Sequence, residues 1–365
     1  TSQSIEIKRD EYKDRNGREK TSYYMVPESP FDYLEISQEP PPFEFIKISS
    51  KQLFDYVELP DDNENRKTLA KQLLNAIRDH QFFIIQLSEE EQQDDKALID
   101  EFSEFFAMKK EEKQNYQASK QDLGSGWTEL FFDNRDNIRD PEIRDVFQVR
   151  MGEEGNIPWP SEEVKKKVYS HFERQWKISL SIVKLLLSEL DIPFESFLSL
   201  ITGDTKFLAE NFRDSGNVKD FHGSPETNLS MFRYTDTQGY ETTQKCMVHR
   251  DNGFITLLPK STLPGIQALH DNTWYPMEEF TSSGDMMVYL GVSAELFSKQ
   301  NLPALRHRVV RTPNSIRYSI PFEVKANRNS KITDELTMDG LEKKMHWERI
   351  QNSVHRVDSV SGVGC

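Results

Sequence analysis

Apolar residues recur along this chain at two different periods, and the change from one to the other falls near residue 226. In the first part the period is helical. Leu69, Leu73 and Ile77 repeat every four positions with Leu74 beside them, which predicts a helix over 66–80. Leu98, Phe102, Phe105 and Phe106 give a second helix, over 97–108, one apolar face. The longest helix is expected over 161–190. Ser161 is placed to cap it, and Glu162 and Glu163 stand in the first turn, where the helix dipole favours acids. Val164, Val168, Phe172, Trp176, Leu180 and Val183 form its buried stripe, and Pro193 ends it. Short apolar strands are expected over 43–48 and 81–87, and Gly124-Ser125-Gly126-Trp127 reads as a loop. Residues 1–43 are polar and close on Pro40-Pro41-Pro42, the signature of an extended arm.

From Leu229 onward, short apolar segments alternate with turn signals. They are LSMFRY, KCMVHRD, FITLLP, GIQALH, NTWYPM, DMMVYLG, ALRHRVVR and SIRYSIPF, broken at Gly239, Gly253, Pro264-Gly265, Asp271-Asn272, Ser283-Gly284, Pro303 and Pro313-Asn314. Strands at this spacing predict a sandwich or barrel, and a double-sheet jelly roll is the natural eight-strand solution. The expected fold is mainly β with flanking helices, built on a double-stranded β-helix (jelly roll) core. The arm takes 1–43, a helical and strand region packing on the core takes 44–225, the jelly roll takes 226–325, and a tail takes 326–365. In that tail, 338–350 is expected to form a last helix with Leu341, Met345 and Trp347 against the body.

Composition narrows the function classes. The chain has 365 residues, 36% hydrophobic and 29% charged, which suits a folded domain with a sizeable core. A net charge of -15 without a Lys/Arg-rich stretch makes nucleic acid and anionic membrane poor partners. The longest apolar pattern, 178–190, is interrupted by Ser179, Ser181, Lys184 and Ser188, so no membrane span is expected. Thr1 to Arg9 has no apolar stretch of the secretory kind. Two cysteines, Cys246 and Cys365, make no disulfide framework, and a reducing, cytoplasmic setting is the simplest fit. The oligomeric state is left open.

The candidate chemistry lies in the β region. His249 and Asp251 are two apart, so on a strand both project to the same face. Alone, such a pair is common. His307, in a later strand of the same region, completes two histidines and one carboxylate, which on one face of an iron leave the opposite face open. Ten residues on, Arg317 and Ser319 again share a face, and a guanidinium fork beside a hydroxyl is a good receptor for a carboxylate. No dinucleotide fingerprint, phosphate loop, zinc-protease helix or nucleophile elbow competes with this set.

These pieces resemble the isopenicillin N synthase-like oxygenases, a group that includes plant and microbial 2-oxoglutarate-dependent hydroxylases and desaturases. The resemblance rests on His249-x-Asp251, Leu305-Arg306-His307-Arg308-Val309-Val310 and Arg317-Tyr318-Ser319-Ile320-Pro321-Phe322. Pro264-Gly265-Ile266-Gln267-Ala268-Leu269, Trp274 and Pro276 follow the same pattern. So do Phe82-Phe83, Phe105-Phe106-Ala107-Met108 and Glu111-Glu112-Lys113. The likeness runs over about residues 43–325. The chain departs from the family where Gln86-Leu87-Ser88 replaces its N-H-G, where Phe232 replaces an asparagine two before Tyr234, and where Leu290-Gly291-Val292 replaces I-G-D.

The resemblance implies Fe(II) held by His249, Asp251 and His307, with 2-oxoglutarate and O₂ as co-substrates. It implies that Arg317 and Ser319 take the distal carboxylate of 2-oxoglutarate and that Tyr234 helps. The implied reaction is hydroxylation, desaturation or oxidative cyclisation of a small metabolite, in the manner of secondary metabolism. Lys245 shares strand parity with His249, and Arg250 sits between two ligands at a strand end. Both are candidate anchors for a carboxylate-bearing substrate, such as an acidic amino-acid derivative of the kind kainoid synthases would suit. Two other readings stay open: an Fe(II) oxidase that needs no 2-oxoglutarate, like isopenicillin N synthase or aminocyclopropane carboxylate oxidase, and a jelly-roll binding protein without turnover.

Overall fold

A computed structural model of the chain describes residues 7–13, 19–25, 34–117, 125–131, 143–151, 157–202, 226–235, 244–310 and 315–345. Strands β1 (Ile7–Lys13) and β2 (Glu19–Met25) pair as an antiparallel hairpin, so the polar arm carries regular structure of its own. Then come β3 (Lys47–Ser49), α1 (Ser50–Val57), α2 (Glu64–His80), β4 (Phe82–Gln86), α3 (Glu89–Ala107) and α4 (Lys110–Lys113). Strands β5 (Gly126–Phe131) and β6 (Ile143–Arg150) precede the long helix α5 (Glu162–Ser188) and α6 (Phe194–Thr202). The β-rich part holds β7 (Asn228–Thr235), β8 (Gln244–His249), β9 (Ile255–Pro259), β10 (Ile266–His270), β11 (Thr273–Pro276) and β12 (Asp285–Leu290). Helix α7 (Val292–Phe297) and strands β13 (His307–Val310), β14 (Ile316–Ser319) and β15 (Phe322–Val324) complete it.

Two sheets face one another as a double-stranded β-helix. The smaller has the order β11-β10-β13-β8, and the larger runs β3-β4-β12-β9-β15-β7-β6-β5, with β14 also paired to β7. The larger sheet therefore recruits strands from before residue 226 and is not confined to 226–325. Period-two alternation sorts its side chains cleanly. Phe83, Ile85, Leu257, Met286, Val288 and Phe322 pack toward the helices. Phe82, Ile84, Leu258, Met287 and Tyr289 turn inward with Ile266, Ala268 and Leu305.

The helices cover the outer face. In α5 the Ser161 hydroxyl accepts from Val164 N, as the sequence predicts, and Val164, Val168, Phe172, Trp176, Ile182 and Val183 are buried. Helix α3 begins eight residues before the expected 97, because Ser88 and Glu91 close a reciprocal capping box. Residues 338–345 form the expected last helix, with Met338 and Leu341 buried and Met345 packed on the core; Trp347 lies outside the described residues. Among the described residues no helix is long and apolar enough to cross a membrane.

Candidate functional site

The space between the two sheets is where the chemistry-bearing side chains meet. His249 ends β8 and His307 begins β13, and these residues sit directly opposite one another in the smaller sheet. Asp251 follows β8 after one residue. The three ligand-type atoms lie within 4.8 Å of one another. Asp251 Oδ1 is 3.3 Å from His249 Nε2 and 3.6 Å from His307 Nε2.

Each member is held from behind. His307 Nδ1 lies 3.3 Å from the Leu305 carbonyl, which makes that nitrogen the donor and leaves the lone pair on Nε2. Burial and the adjacent His249 push His307 down to about 4, so the ring is neutral at pH 7 and free to ligate. Thr256 Oγ1 donates to Asp251 Oδ2 at 2.5 Å, which turns Oδ1 toward the histidines. Tyr289 stands opposite Thr256 in the β9–β12 ladder and also bonds the Asp251 carboxylate; its ring centroid is 4.9 Å from that of His307. Burial and the Asp251 charge hold the Tyr289 phenol well above its ordinary value, so it acts only as a neutral donor. Burial opposes the charge on Asp251 itself. The His307 and His249 rings and the Thr256 hydroxyl outweigh that and keep the carboxyl well below the usual carboxylate range.

The backbone beneath Asp251 is clamped just as closely. Val292 N donates to Asp251 O at 2.8 Å, Ser293 N to Gly253 O at 3.2 Å, and Gly253 N to the Glu323 carboxylate at 2.9 Å. A Cβ at Gly291 would lie 2.3 Å from Gly253 O and 2.7 Å from Asp251 O. This accounts for one departure noted in the sequence: the glycine of Leu290-Gly291-Val292 is needed for close approach, whereas residue 292 meets Asp251 through its backbone N–H and puts its side chain in the core.

The residues expected to receive a carboxylate lie on the larger sheet. Arg317 and Tyr234 are paired across β14 and β7, Ser319 faces Phe232, and Arg317, Ser319 and Tyr234 are all buried. The Arg317 guanidinium carbon is 5.2 Å from the centre of the Tyr234 ring. Arg317 Nε donates to Leu263 O at 3.0 Å, and Nη2 donates to Ser261 Oγ at 2.7 Å and to Glu278 Oε2 at 3.1 Å. Nη1 is buried without a hydrogen-bond partner among the described residues. A buried cationic donor with no acceptor is costly, and a carboxylate is what relieves it. Arg317 packs under Gly265, where a Cβ would lie 2.7 Å from Nε. Gly265 is three residues, ~10 Å of strand, from Ala268, which pairs with His307. One strand thus joins the surroundings of Arg317 to those of His307. The two halves fit the groups they imply: two imidazole nitrogens and one carboxylate suit Fe(II) with open positions, and the unmatched Nη1 suits an anionic co-substrate.

Sequence reasoning did not reach Thr256, Tyr289, Ser261 and Glu278. Thr256 and Tyr289 meet Asp251 only through β9–β12 register, and Glu278 reaches Arg317 from 39 residues away. The two expected substrate anchors fare differently. Arg250 turns onto α7 and pairs with Glu295 at 2.6 Å. The side chain of Lys245 lies outside the described residues. The β8–β13 ladder shifts register twice between His249 and Gln244, so alternation from His249 does not by itself set the face that Lys245 takes. Trp127, whose place after the glycine loop suits a pocket wall or a core equally, is core: it is buried and its Nε1 donates to Asp145 at 3.3 Å.

Two family models match the chain. One, described as non-haem dioxygenase in morphine synthesis N-terminal, matches residues 52–176. The other, described as 2OG-Fe(II) oxygenase superfamily, matches residues 225–326, the stretch that carries His249, Asp251, His307, Arg317 and Ser319. A 2-oxoglutarate-dependent dioxygenase of Aspergillus rugulosus is 25% identical over 197 residues, 49% of this chain and 54% of the relative. The 2-oxoglutarate-dependent dioxygenase 21, chloroplastic, of Oryza sativa subsp. japonica is 24% identical over 166 residues, 44% and 43% of the two chains. The chain thus spans about half the length of the curated relatives it matches. Among solved structures, a Neurospora crassa protein in complex with alpha-KG and thymine superposes with a TM-score of 0.61 at 15% identity, covering 86% of this chain and 99% of that one. A dioxygenase for auxin oxidation from rice gives 0.58 at 16% identity, covering 86% and 96%. At these identities the likeness establishes the fold, the jelly roll described above.

Proposed function

Because the chain belongs to the 2OG-Fe(II) oxygenase superfamily, we propose that it is an Fe(II)- and 2-oxoglutarate-dependent dioxygenase that oxidises a small, carboxylate-bearing metabolite. The observation that carries the reading is the convergence of His249, Asp251 and His307 on one point, with the unmatched Nη1 of Arg317 one strand away. His249, Asp251 and His307 would hold the iron, and Arg317, Ser319 and Tyr234 the distal carboxylate of 2-oxoglutarate. When bound, the two supply the oxidation of a C–H bond by O₂, as 2-oxoglutarate is split to succinate and CO₂.

The chain's own residues do the positioning. Leu305 O fixes the His307 tautomer, and Thr256 and Tyr289 hold the Asp251 carboxylate ionised and aimed. Leu263 and Glu278 fix the plane of the Arg317 guanidinium, so that its remaining donors have one direction. The inward apolar layer of Leu258, Ile266, Ala268, Met287 and Leu305 excludes water around these charges and strengthens each contact.

The substrate class rests on local potential. Arg306 and Arg250 lie close enough beside His307 and His249 to act on one another, and Glu295, paired with Arg250 at 2.6 Å, answers only one of the two charges. A substrate carboxylate, as in an amino-acid derivative of secondary metabolism, would meet that region, with Lys245 as a further anchor. Two cysteines in the whole chain suit a reducing, cytoplasmic setting for such an enzyme.

The test is Fe(II)-dependent conversion of 2-oxoglutarate to succinate across a panel of amino acids and small acids. Enhancement by an acidic substrate, weakened in Arg250→Met or Lys245→Met without loss of the uncoupled reaction, is the expected result. Oxidation of a substrate without any succinate would replace this reading by a 2-oxoglutarate-independent oxidase. A best substrate with no carboxylate would remove the acidic-substrate part alone.

A further inference from the structure

A guanidinium carries five N–H donors. In Arg317 three are in use: Nε on Leu263 O, and the two of Nη2 on Ser261 Oγ and Glu278. The partner Glu278 cannot swing aside for an incoming anion. Its carboxylate also accepts from Ser261 N at 2.9 Å, Gly265 N at 2.7 Å and Ile266 N at 3.0 Å, and its departure would orphan all three. The Nη2 edge is therefore closed, and the donors left on Arg317 are both on Nη1.

Ser261 is the second residue on the closed edge. Its oxygen accepts from Arg317 Nη2 at 2.7 Å, and its own hydrogen goes to Ser319 Oγ at 3.1 Å. With Ser319 already accepting, the Ser319 hydrogen is released to donate elsewhere. Ser261, Ser319 and Arg317 are all buried, so that hydrogen and Nη1 share one dry interior. The alternative is that the Ser261 hydrogen turns to Glu278, which also lies close enough for Ser261 to favour its charge. Glu278 already has four donors, whereas Ser319 has no other partner among the described residues. The Ser319 direction satisfies more groups.

We propose that Ser261 is a positioning residue for the co-substrate carboxylate: held by Arg317, it orients the Ser319 hydroxyl so that Ser319 and Arg317 Nη1 donate to the same anion. This rests on the co-substrate reading above. No sequence motif marks Ser261, which lies 56 residues before Arg317.

The test is calorimetric titration of 2-oxoglutarate into full-length protein loaded with Mn(II), which binds without turnover. Ser261→Ala should weaken 2-oxoglutarate binding about five-fold and Ser319→Ala about ten-fold, the scale of one or two buried neutral hydrogen bonds. The double variant should be no weaker than Ser319→Ala alone, because Ser261 acts through Ser319. Mn(II) affinity should stay unchanged in all three. Ser261→Thr keeps the hydroxyl and should bind as the parent does; it serves as the folded comparison if the alanine variant is unstable. Parent-like affinity in Ser261→Ala, or losses that simply add in the double variant, would overturn the proposal and give the hydrogen to Glu278. Arg317→Met separates the two layers. If it binds 2-oxoglutarate as the parent does, or the parent binds none, the co-substrate site itself is misplaced and the role of Ser261 falls with it.

Discussion

Replacing Arg317 with alanine should cost stability as well as co-substrate binding, and the stability loss should depend on pH in a particular way. Arg317 and Glu278 form an ion pair in which both side chains are at most 5% exposed. Removing one member of a buried pair typically costs about 3–5 kcal/mol, because the other charge is left without its partner. Glu278 keeps three backbone donors, from Ser261, Gly265 and Ile266. The low end, about 3 kcal/mol, is therefore expected at pH 7. Adding Glu278→Gln removes the stranded charge and should recover about 1–2 kcal/mol of it.

The pH dependence follows from the direction of the Glu278 shift. Burial raises its pKa, but Arg317 and the bonds from Ile266 and Ser261 outweigh burial and hold it below the ordinary 4.5. A carboxyl depressed in the folded state contributes stability above its unfolded pKa and loses that contribution as pH falls through the folded value. Without Arg317 the largest opposing effect is gone and burial moves the pKa upward. Acid then neutralises the stranded carboxylate, and the gap between variant and parent should narrow between about pH 7 and pH 5. Urea midpoints of metal-free parent, Arg317→Ala and Arg317→Ala/Glu278→Gln at both pH values check this. A single variant as stable as the parent, or a gap that is the same at both pH values and in the double variant, would refute the reasoning.

Three further outcomes follow from the same contacts. Thr256→Val removes the hydroxyl that turns Asp251, and metal affinity measured by chelator competition should drop about 10–100-fold with the fold retained; an unchanged affinity would assign the orienting role to Tyr289 alone. Gly291→Ala puts a methyl against the Asp251 and Gly253 carbonyls, so thermal unfolding should show a loss of about 1–3 kcal/mol together with weaker metal binding. Ser88→Ala opens the capping box of α3 and should cost about 1 kcal/mol in urea unfolding, with metal binding untouched.

Elements that pack by periodicity were legible in the sequence, and those set by pairing were not. Leu69, Leu73 and Ile77 mark α2, and Ser161 caps α5, because helix signals are local. The first turns of α3 were missed because Glu89 to Lys96 carry no apolar stripe; the Ser88-x-x-Glu91 box was the available signal. Gly126 and Trp127 read as loop, yet they begin a strand whose partner is β6, a contact no local pattern shows. The same divide runs through the site. His249, Asp251, His307, Arg317 and Ser319 were readable because spacing of two on a strand has a geometric meaning. Tyr289 and Glu278 enter through ladder register and a turn after β11, and a single residue's sequence neighbourhood carries neither. For Lys245 parity with His249 is not a sufficient guide, because the β8–β13 ladder shifts register between them.

The central claim is that three side chains hold one iron that spends 2-oxoglutarate. The most direct measurement follows succinate formation in purified protein with Fe(II), 2-oxoglutarate and O₂, beside His249→Ala, Asp251→Ala and His307→Ala, with bound iron and circular dichroism recorded on the same samples. The account predicts Fe(II)-dependent succinate in the parent, and loss of both iron and succinate in each variant while the fold persists. Succinate production that survives in any one of the three folded variants would contradict it.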